Sequence, residues 1–226
     1  MEYKFNEKEH IHELDGKPLV GVTSVLSVIS KPALIQWAAN MACDYVRDNY
    51  SVGCAMESLL EEARTAHRKK KEKAGDWGTK LHEAIEIWIK ESKLPTDLDE
   101  SQMIAFNNFK NWADENKVEF LESEKHLYSK EMWLGGIVDL VFRMDGKKYI
   151  GDIKTSSGIY NEAFFQMGGY HLMLEEMGEA KDVEGYIVIN LKKDGTMDMK
   201  RADDMKINQE AFRHALGLYK IVNILK

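Results

Sequence analysis

The strongest constraint on the fold is a pair of apolar, strand-like runs joined by Asp145-Gly146. Asp-Gly between such runs is a leading signal for a two-residue type I′ β-hairpin turn. The register that this turn sets places Asp139 directly opposite Asp152. Because side chains alternate along a strand, Lys154 falls on the same face as Asp152. The sequence therefore predicts that two carboxylates and a lysine converge on one face of the hairpin.

Both faces of this hairpin are apolar, which indicates a central, buried position. The face of the charged residues also carries Ile137, Val141 and Ile150, and the other carries Val138, Leu140, Phe142, Tyr149 and Ile153. Directly opposed carboxylates destabilise an antiparallel pair unless something neutralises them, and burial adds to that cost. A divalent cation is one neutraliser, and the alternative is an ordinary buried Lys–Asp ion pair.

Hard oxygen ligands favour Mg²⁺ or Mn²⁺ over zinc. Such a cation stabilises charge on a phosphodiester and activates water, and a nearby lysine orients that water or stabilises the transition state. The predicted chemistry is hydrolysis of a phosphate backbone. Glycoside hydrolysis by the carboxylate pair is a poorer match, because it leaves Lys154 without a role.

Four short motifs, in this order, resemble the PD-(D/E)XK nuclease superfamily and its RecB-like exonuclease branch. They are Gly78-Thr79-Lys80-Leu81-His82, Gly136-Ile137-Val138-Asp139, Asp152-Ile153-Lys154-Thr155 and Gln166-Met167-Gly168-Gly169-Tyr170. The segment from Val22 to Ala38 is similar to the helical part of phage-encoded relatives of the mitochondrial genome maintenance exonuclease. The resemblance implies a restriction-endonuclease-like core.

The resemblance also implies roles for individual residues. The catalytic residues are Asp139, Asp152 and Lys154. The metal ligands are His82, Asp139, Asp152 and the backbone carbonyl of Ile153, with Glu124 as an accessory acidic residue. Gln166, Tyr170 and Thr155 lie near DNA. The cofactor is Mg²⁺ or Mn²⁺ and not the iron–sulfur cluster of some relatives, because no cysteine follows Cys54.

Three of these residues have purely structural alternatives. A histidine at the edge of an apolar helical arc, as at position 82, is usually a partly buried structural residue. Gln166 and Tyr170 are four residues apart, which suits packing in an amphipathic core as well as a role near DNA.

The formal net charge of −7 argues against a protein that coats nucleic acid by bulk charge, but allows a local basic channel. The most basic stretch, residues 67–73, directly precedes the Gly78–His82 motif. It is either the solvated face of a helix or a border of the DNA channel. In the second case Lys69, Lys70 and Lys71 bind phosphates.

The hydrophobic pattern changes midway along the chain, from the helical period of 3.6 residues to short apolar runs broken by turn residues. Helices are predicted at Pro32–Tyr50, Val52–Lys73, Asp76–Glu91, Ser101–Asn116, Asn161–Met177 and Asn208–Leu225, and strands at Phe120–Ser129, Leu134–Arg143, Lys148–Thr155 and Val183–Leu191. This order indicates an α/β or α+β fold, with a central mixed β-sheet flanked by helices and a helical N-terminal half. We expect one nuclease domain over residues 1–226, with residues 1–75 as an N-terminal hairpin and helical part and residues 76–226 as the core.

The expected location is the cytoplasm. If the chain is phage-encoded, this is the cytoplasm of the host. No run approaches the roughly 18 apolar residues of a membrane span, and the first residues lack the features of a signal peptide. The two cysteines, Cys43 and Cys54, are too few for a disulfide scaffold.

The function expected from these features is metal-dependent DNA exonuclease activity in recombination, repair or phage genome processing, with a separate recombination or replication protein as a partner. A structure-selective endonuclease or resolvase could use the same centre. A catalytically silent DNA-binding accessory protein is the other alternative, but such a protein has no need to keep opposed carboxylates.

Overall fold

The computed structural model describes residues 2–224. Its helices are α1 (Val22–Val25), α2 (Pro32–Asn49), α3 (Met56–Glu91), α4 (Glu100–Glu115), α5 (Asn161–Glu176) and α6 (Met205–Ile224), and a 3₁₀ turn follows α1 at Leu26–Val28. Its strands are β1 (Tyr3–Asn6), β2 (Ile11–Leu14), β3 (Lys17–Pro18), β4 (Val20–Gly21), β5 (Glu119–Ser129), β6 (Leu134–Met144), β7 (Lys147–Lys154), β8 (Val183–Leu191) and β9 (Met197–Ala202). The predicted end of the last helix, Leu225, lies outside the described residues.

The chain forms two compact units, one of residues 1–29 with 81–226 and one of residues 30–80. The predicted division at residues 75 and 76 differs from this one, because the N-terminal segment belongs with the sheet. Strand β4 joins β6 in parallel, through the pairs Val20↔Leu134 and Gly21↔Gly135. The predicted N-terminal hairpin is present as β1 and β2, which pair antiparallel.

The second unit consists of α2 and the first part of α3. Proline at the first position of α2 suits a helix start, because its missing N–H has no partner there in any case. Tyr50, in extended geometry, ends the helix.

Helix α3 is continuous, so the prediction of two helices over this segment was wrong. The segment contains no proline, and its interruptions are the glycines Gly75 and Gly78. A glycine in a helix interior costs about 1 kcal/mol relative to alanine, which weakens a helix without blocking it. Pairs such as Lys90–Glu86, at 2.5 Å, support helical geometry.

The main sheet of the first unit has six strands, and three of them pair with β6. Strand β5 pairs antiparallel along one edge of β6. The other edge is shared by β7, which is antiparallel, and β4, which is parallel. Beyond β7 lie β8, parallel to it, and β9, antiparallel to β8. The predicted central mixed sheet flanked by helices is confirmed, and β9 is a strand that the sequence analysis missed.

The Asp145-Gly146 turn is also confirmed. Both residues have positive φ, 52° and 75°, as a type I′ turn requires. The pairs from Met144↔Lys147 to Leu140↔Gly151 have the predicted register. The ladder ends at Leu140↔Gly151, so the predicted direct pairing of Asp139 with Asp152 is not formed. Instead, the Asp139 side chain accepts a hydrogen bond from the Ile153 N–H, at 2.7 Å. The sheet thus opens at the residues on which the predicted chemistry depends.

Helices α5 and α6 pack unusually closely. A Cβ on Gly168 would lie 2.5 Å from the Asn208 carbonyl oxygen, and a Cβ on Gly169 would lie 2.7 Å from the Phe212 ring. Side chains at these positions would push the helices apart. The paired glycines of the fourth motif therefore have a packing role of their own.

No single helix within residues 2–224 is both long and apolar enough to cross a membrane. Only the bent pair Val22–Val28 and Pro32–Asn49 meets the length and composition requirement in that part of the chain.

Candidate active site

Two carboxylates and a lysine meet where the β6–β7 ladder opens. The side chains of Asp139 and Asp152 are 13% and 1% exposed. Lys154 Nζ donates a hydrogen bond to Asp152 Oδ1 at 2.6 Å. The other oxygen, Asp152 Oδ2, is buried without a hydrogen-bond partner. A buried acceptor left in this way is costly, and a bound cation would give this oxygen a partner.

Two further elements bring side chains to Asp139. His82 comes from α3, and its Nδ1 atom lies 3.9 Å from Asp139 Oδ2. Glu124 comes from β5, and its Oε1 atom lies 3.6 Å from His82 Nδ1. One ligand atom from each of the three residues lies within 4.8 Å of the others. This set of two carboxylates and an imidazole fits a divalent cation.

Glu124 is held in a strained backbone conformation. Its φ of 48° lies in the left-handed region, although it sits in the middle of a strand. The flanking pairs Ser123↔Leu140 and Lys125↔Val138 keep the ladder register on both sides. Such a conformation costs on the order of 1–3 kcal/mol in a non-glycine residue and is most often found at functional sites. Nothing in the sequence period indicates this strain.

The pKa values of Asp139, Asp152 and His82 are raised. Burial raises the pKa of Asp152 to about 7 against the opposing charge of Lys154, and the charge of Asp139 adds to the rise. Burial also raises the pKa of Asp139. For His82, burial lowers the pKa, but the carboxylates of Glu124 and Asp139 outweigh it, so the net shift is upward. Burial therefore opposes ionisation of the two aspartates, and a bound cation would favour it.

The fourth motif is linked to the third by hydrogen bonds. Lys154 Nζ donates to Gln166 Oε1 at 3.4 Å, and Gln166 Nε2 donates to the Tyr170 hydroxyl at 2.7 Å. A Cβ on Gly136 would lie 2.7 Å from the Tyr170 ring, so this glycine makes room for the tyrosine. Burial raises the pKa of Tyr170 well above its usual value, which keeps the hydroxyl neutral. Tyr170 is therefore a buried core residue, and the half-buried Gln166 joins its hydroxyl to Lys154.

The remaining predicted residues lie as follows. The amide of Ile153 binds Asp139, and Thr155 is half-buried directly after β7. The predicted roles of the Ile153 carbonyl and of Thr155 stay predictions.

Lys69, Lys70 and Lys71 of the basic run are exposed and lie on α3 within the second unit. There Lys69 pairs with Glu62, and Lys70 Nζ lies 3.8 Å from Met41 Sδ. Their contact with DNA stays a prediction.

One buried polar residue next to this site escaped the sequence analysis. Asn190 is 0% exposed and lies on β8, opposite Lys154 in the register of β7 and β8. The available signal was a single amide in an otherwise apolar strand, which indicates a buried group with fixed hydrogen-bond partners.

No family model matches the chain, and no curated protein matches it. Among solved structures, an alkaline exonuclease from Laribacter hongkongensis is similar at 10% identity over 91% of each chain, with a TM-score of 0.33. A protein designated SSO0001 is similar at 13% identity over 51% of this chain, with a TM-score of 0.30, and this chain spans 57% of its length. Likeness this distant carries no argument about function, which must come from the residues of the site.

Proposed function

We propose that this protein is a metal-dependent DNA nuclease, and specifically an exonuclease acting in recombination, repair or phage genome processing. The observation that supports the proposal most directly is the buried pair Asp139 and Asp152 beside Lys154, with one oxygen of Asp152 unpartnered. An ordinary buried Lys–Asp ion pair needs neither a second carboxylate nor an unpartnered carboxylate oxygen. The proposal includes a single nuclease domain that works in the cytoplasm beside a separate recombination or replication protein.

The side chains present fit Mg²⁺ or Mn²⁺. We assign its binding to His82 and Asp139, whose ligand atoms lie together with that of Glu124, and to Asp152 and the Ile153 carbonyl from the next strand, with Glu124 as an accessory ligand. When bound, such an ion would polarise the phosphodiester and lower the pKa of water.

The chain's own groups would orient and stabilise the reacting phosphate. Lys154 is held from two sides, by Asp152 Oδ1 and by Gln166 Oε1. Its ammonium group is therefore fixed in place before substrate binds and can stabilise negative charge that develops on the phosphate oxygens. The hydrogen bond from the Ile153 amide to Asp139 holds the carboxylate in its orientation.

The test uses end-labelled linear single strands, linear duplexes and closed circles, each with Mg²⁺, Mn²⁺ or EDTA. We expect metal-dependent loss of the linear substrates only. Asp152→Asn and Lys154→Ala should lower the cleavage rate by roughly 10²-fold or more, because each removes charge from the reacting site. Asp198→Asn is the matched control, since Asp198 is an exposed aspartate on β9 of the same sheet. Full activity of the Asp152 or Lys154 variants would rule out this site.

The same substrates separate the alternatives. Cleavage of closed circles would favour a structure-selective endonuclease or resolvase. Tight DNA binding without cleavage of any substrate would favour a silent accessory protein.

A further inference from the structure

The loop that follows Lys154 is held by a buried amide. It covers residues 155–160, between the end of β7 and the start of α5. Asn190 Nδ2 donates to the Ser156 carbonyl, and Asn190 Oδ1 accepts from the Ser156 N–H, each at 3.0 Å. Lys154↔Asn190 is the last pair of the β7–β8 ladder. Beyond it, the Asn190 side chain makes the two hydrogen bonds to the Ser156 backbone that a neighbouring strand would otherwise make. The start of the loop is therefore as fixed as the sheet.

Hydroxyl groups hold the rest of the loop, up to an exposed aromatic ring. Ser156 Oγ donates to the Gly158 carbonyl at 2.7 Å, and the hydroxyls of Ser157 and Tyr160 lie 3.0 Å apart. Tyr160 nevertheless remains 56% exposed. The loop orders a large ring at the surface without burying it, which suits a contact with a ligand better than it suits folding.

Tyr160 is also linked to the candidate active site through α5. It is the N-cap residue of that helix, and Gln166, six positions later, accepts the hydrogen bond from Lys154. Six residues advance a helix by about 9 Å. A strand bound at Lys154 can therefore reach the Tyr160 ring.

We propose that Tyr160 stacks on a base of the nucleic-acid strand at Lys154, and that Asn190 is the positioning residue that holds its loop. The proposal rests on the proposed nuclease function and adds a subsite to it. Aromatic rings bind bases of single strands with little sequence preference, and removing one typically weakens binding about ten-fold or more.

The test compares Tyr160→Ala with Tyr160→Phe, and uses Tyr50→Ala as the control because Tyr50 is equally exposed, at 55%. The binding probe is a short single-stranded oligonucleotide containing 2-aminopurine, in EDTA, and cleavage is measured with Mg²⁺. Tyr160→Ala should raise Kd and KM about ten-fold or more and change kcat far less. It should also remove the quenching of the 2-aminopurine fluorescence that stacking causes. Tyr50→Ala should behave as wild type, and Tyr160→Phe, which keeps the ring and loses only the hydroxyl contact with Ser157, should retain the quenching and lose much less binding than Tyr160→Ala.

Asn190→Asp tests the positioning role. It keeps the acceptor for the Ser156 N–H and loses the donor to the Ser156 carbonyl. KM should therefore rise, as it should in Tyr160→Ala. Asn208→Ala is the control, because Asn208 is also buried and its amide donates to the Asp204 carbonyl, directly before α6, at 2.8 Å. If Asn190→Asp does not fold, the Tyr160 variants still test the stacking proposal, because Tyr160 is exposed.

The outcomes are distinguishable from failure of the nuclease proposal. A wild type that cleaves, together with Tyr160→Ala no weaker than Tyr50→Ala, would overturn the stacking subsite and leave the nuclease proposal standing. Equal loss in Tyr160→Phe and Tyr160→Ala would also overturn stacking. A wild type that neither binds nor cleaves nucleic acid would overturn both proposals.

Discussion

At Asp152, burial and ionisation oppose each other. The carboxyl group has a pKa of 3.8 in the open chain and of about 7 in the fold, where burial disfavours the charge. Between these two pH values the folded state binds more protons than the unfolded state. The free energy of unfolding therefore falls as pH rises through this window.

Asp152→Asn removes this titration. In EDTA, the stability of the variant relative to wild type should be greater at pH 7.5 than at pH 5. The expected difference is about 1–3 kcal/mol, since one unit of pKa corresponds to about 1.36 kcal/mol. Urea unfolding at the two pH values measures it, with Asp198→Asn as the exposed control. Parallel pH profiles for wild type and Asp152→Asn would contradict the prediction.

Glu124 offers a second test at the residue scale, because its φ of 48° is strained for any residue except glycine. Glu124→Gly should be more stable than Glu124→Ala by about 1 kcal/mol in EDTA, since only glycine relieves the strain. Both variants should gain less thermal stability from Mn²⁺ than wild type does. The Tm with and without Mn²⁺ measures both effects, and full stabilisation of the variants by Mn²⁺ would exclude Glu124 as a ligand.

At the scale of elements, the contact between α5 and α6 depends on glycine. Gly169→Ala places a Cβ 2.7 Å from the Phe212 ring, so it should destabilise the protein by about 1–3 kcal/mol. Gly217→Ala is the matched control on α6, because its Cβ meets nothing within 4 Å. That variant should gain up to about 1 kcal/mol from helix propensity. Chemical denaturation measures the free energy of unfolding of both variants. If Gly169→Ala leaves it unchanged, the helices can move apart without loss of stability.

Elements differ in how far local sequence specifies them. The Asp145-Gly146 turn sets the register of β6 and β7 by itself, because only a primed turn matches the twist of the strands. In α3, the hydrophobic pattern indicated a break near Gly75. The helix is continuous there because the neighbouring residues favour helix formation. Strand β9 is short, exposed along most of its length and polar in part, so only its pairing with β8 defines it.

At the scale of the whole molecule, the net charge of −7 opposes DNA binding, so local basic groups must offset it. If Lys69, Lys70 and Lys71 contact phosphates, replacing all three by glutamine should weaken binding and lower the slope of log Kd against log salt by roughly 2–3. Replacing Lys4, Lys8 and Lys17, which are exposed in the other unit, makes the same change in net charge and is the control. Equal effects of the two triple variants would show that only bulk charge matters.

The sequence by itself determined the hairpin and its register as far as Leu140↔Gly151, because a two-residue turn and strand alternation are local rules. It also determined most helices and strands through their hydrophobic period. Only the tertiary structure decided that β4 shares an edge of β6 with β7, that the strained Glu124 joins His82 at Asp139, and that Asn190 holds the loop after Lys154. Those contacts join segments far apart in the chain, and their geometry depends on packing that no local pattern records.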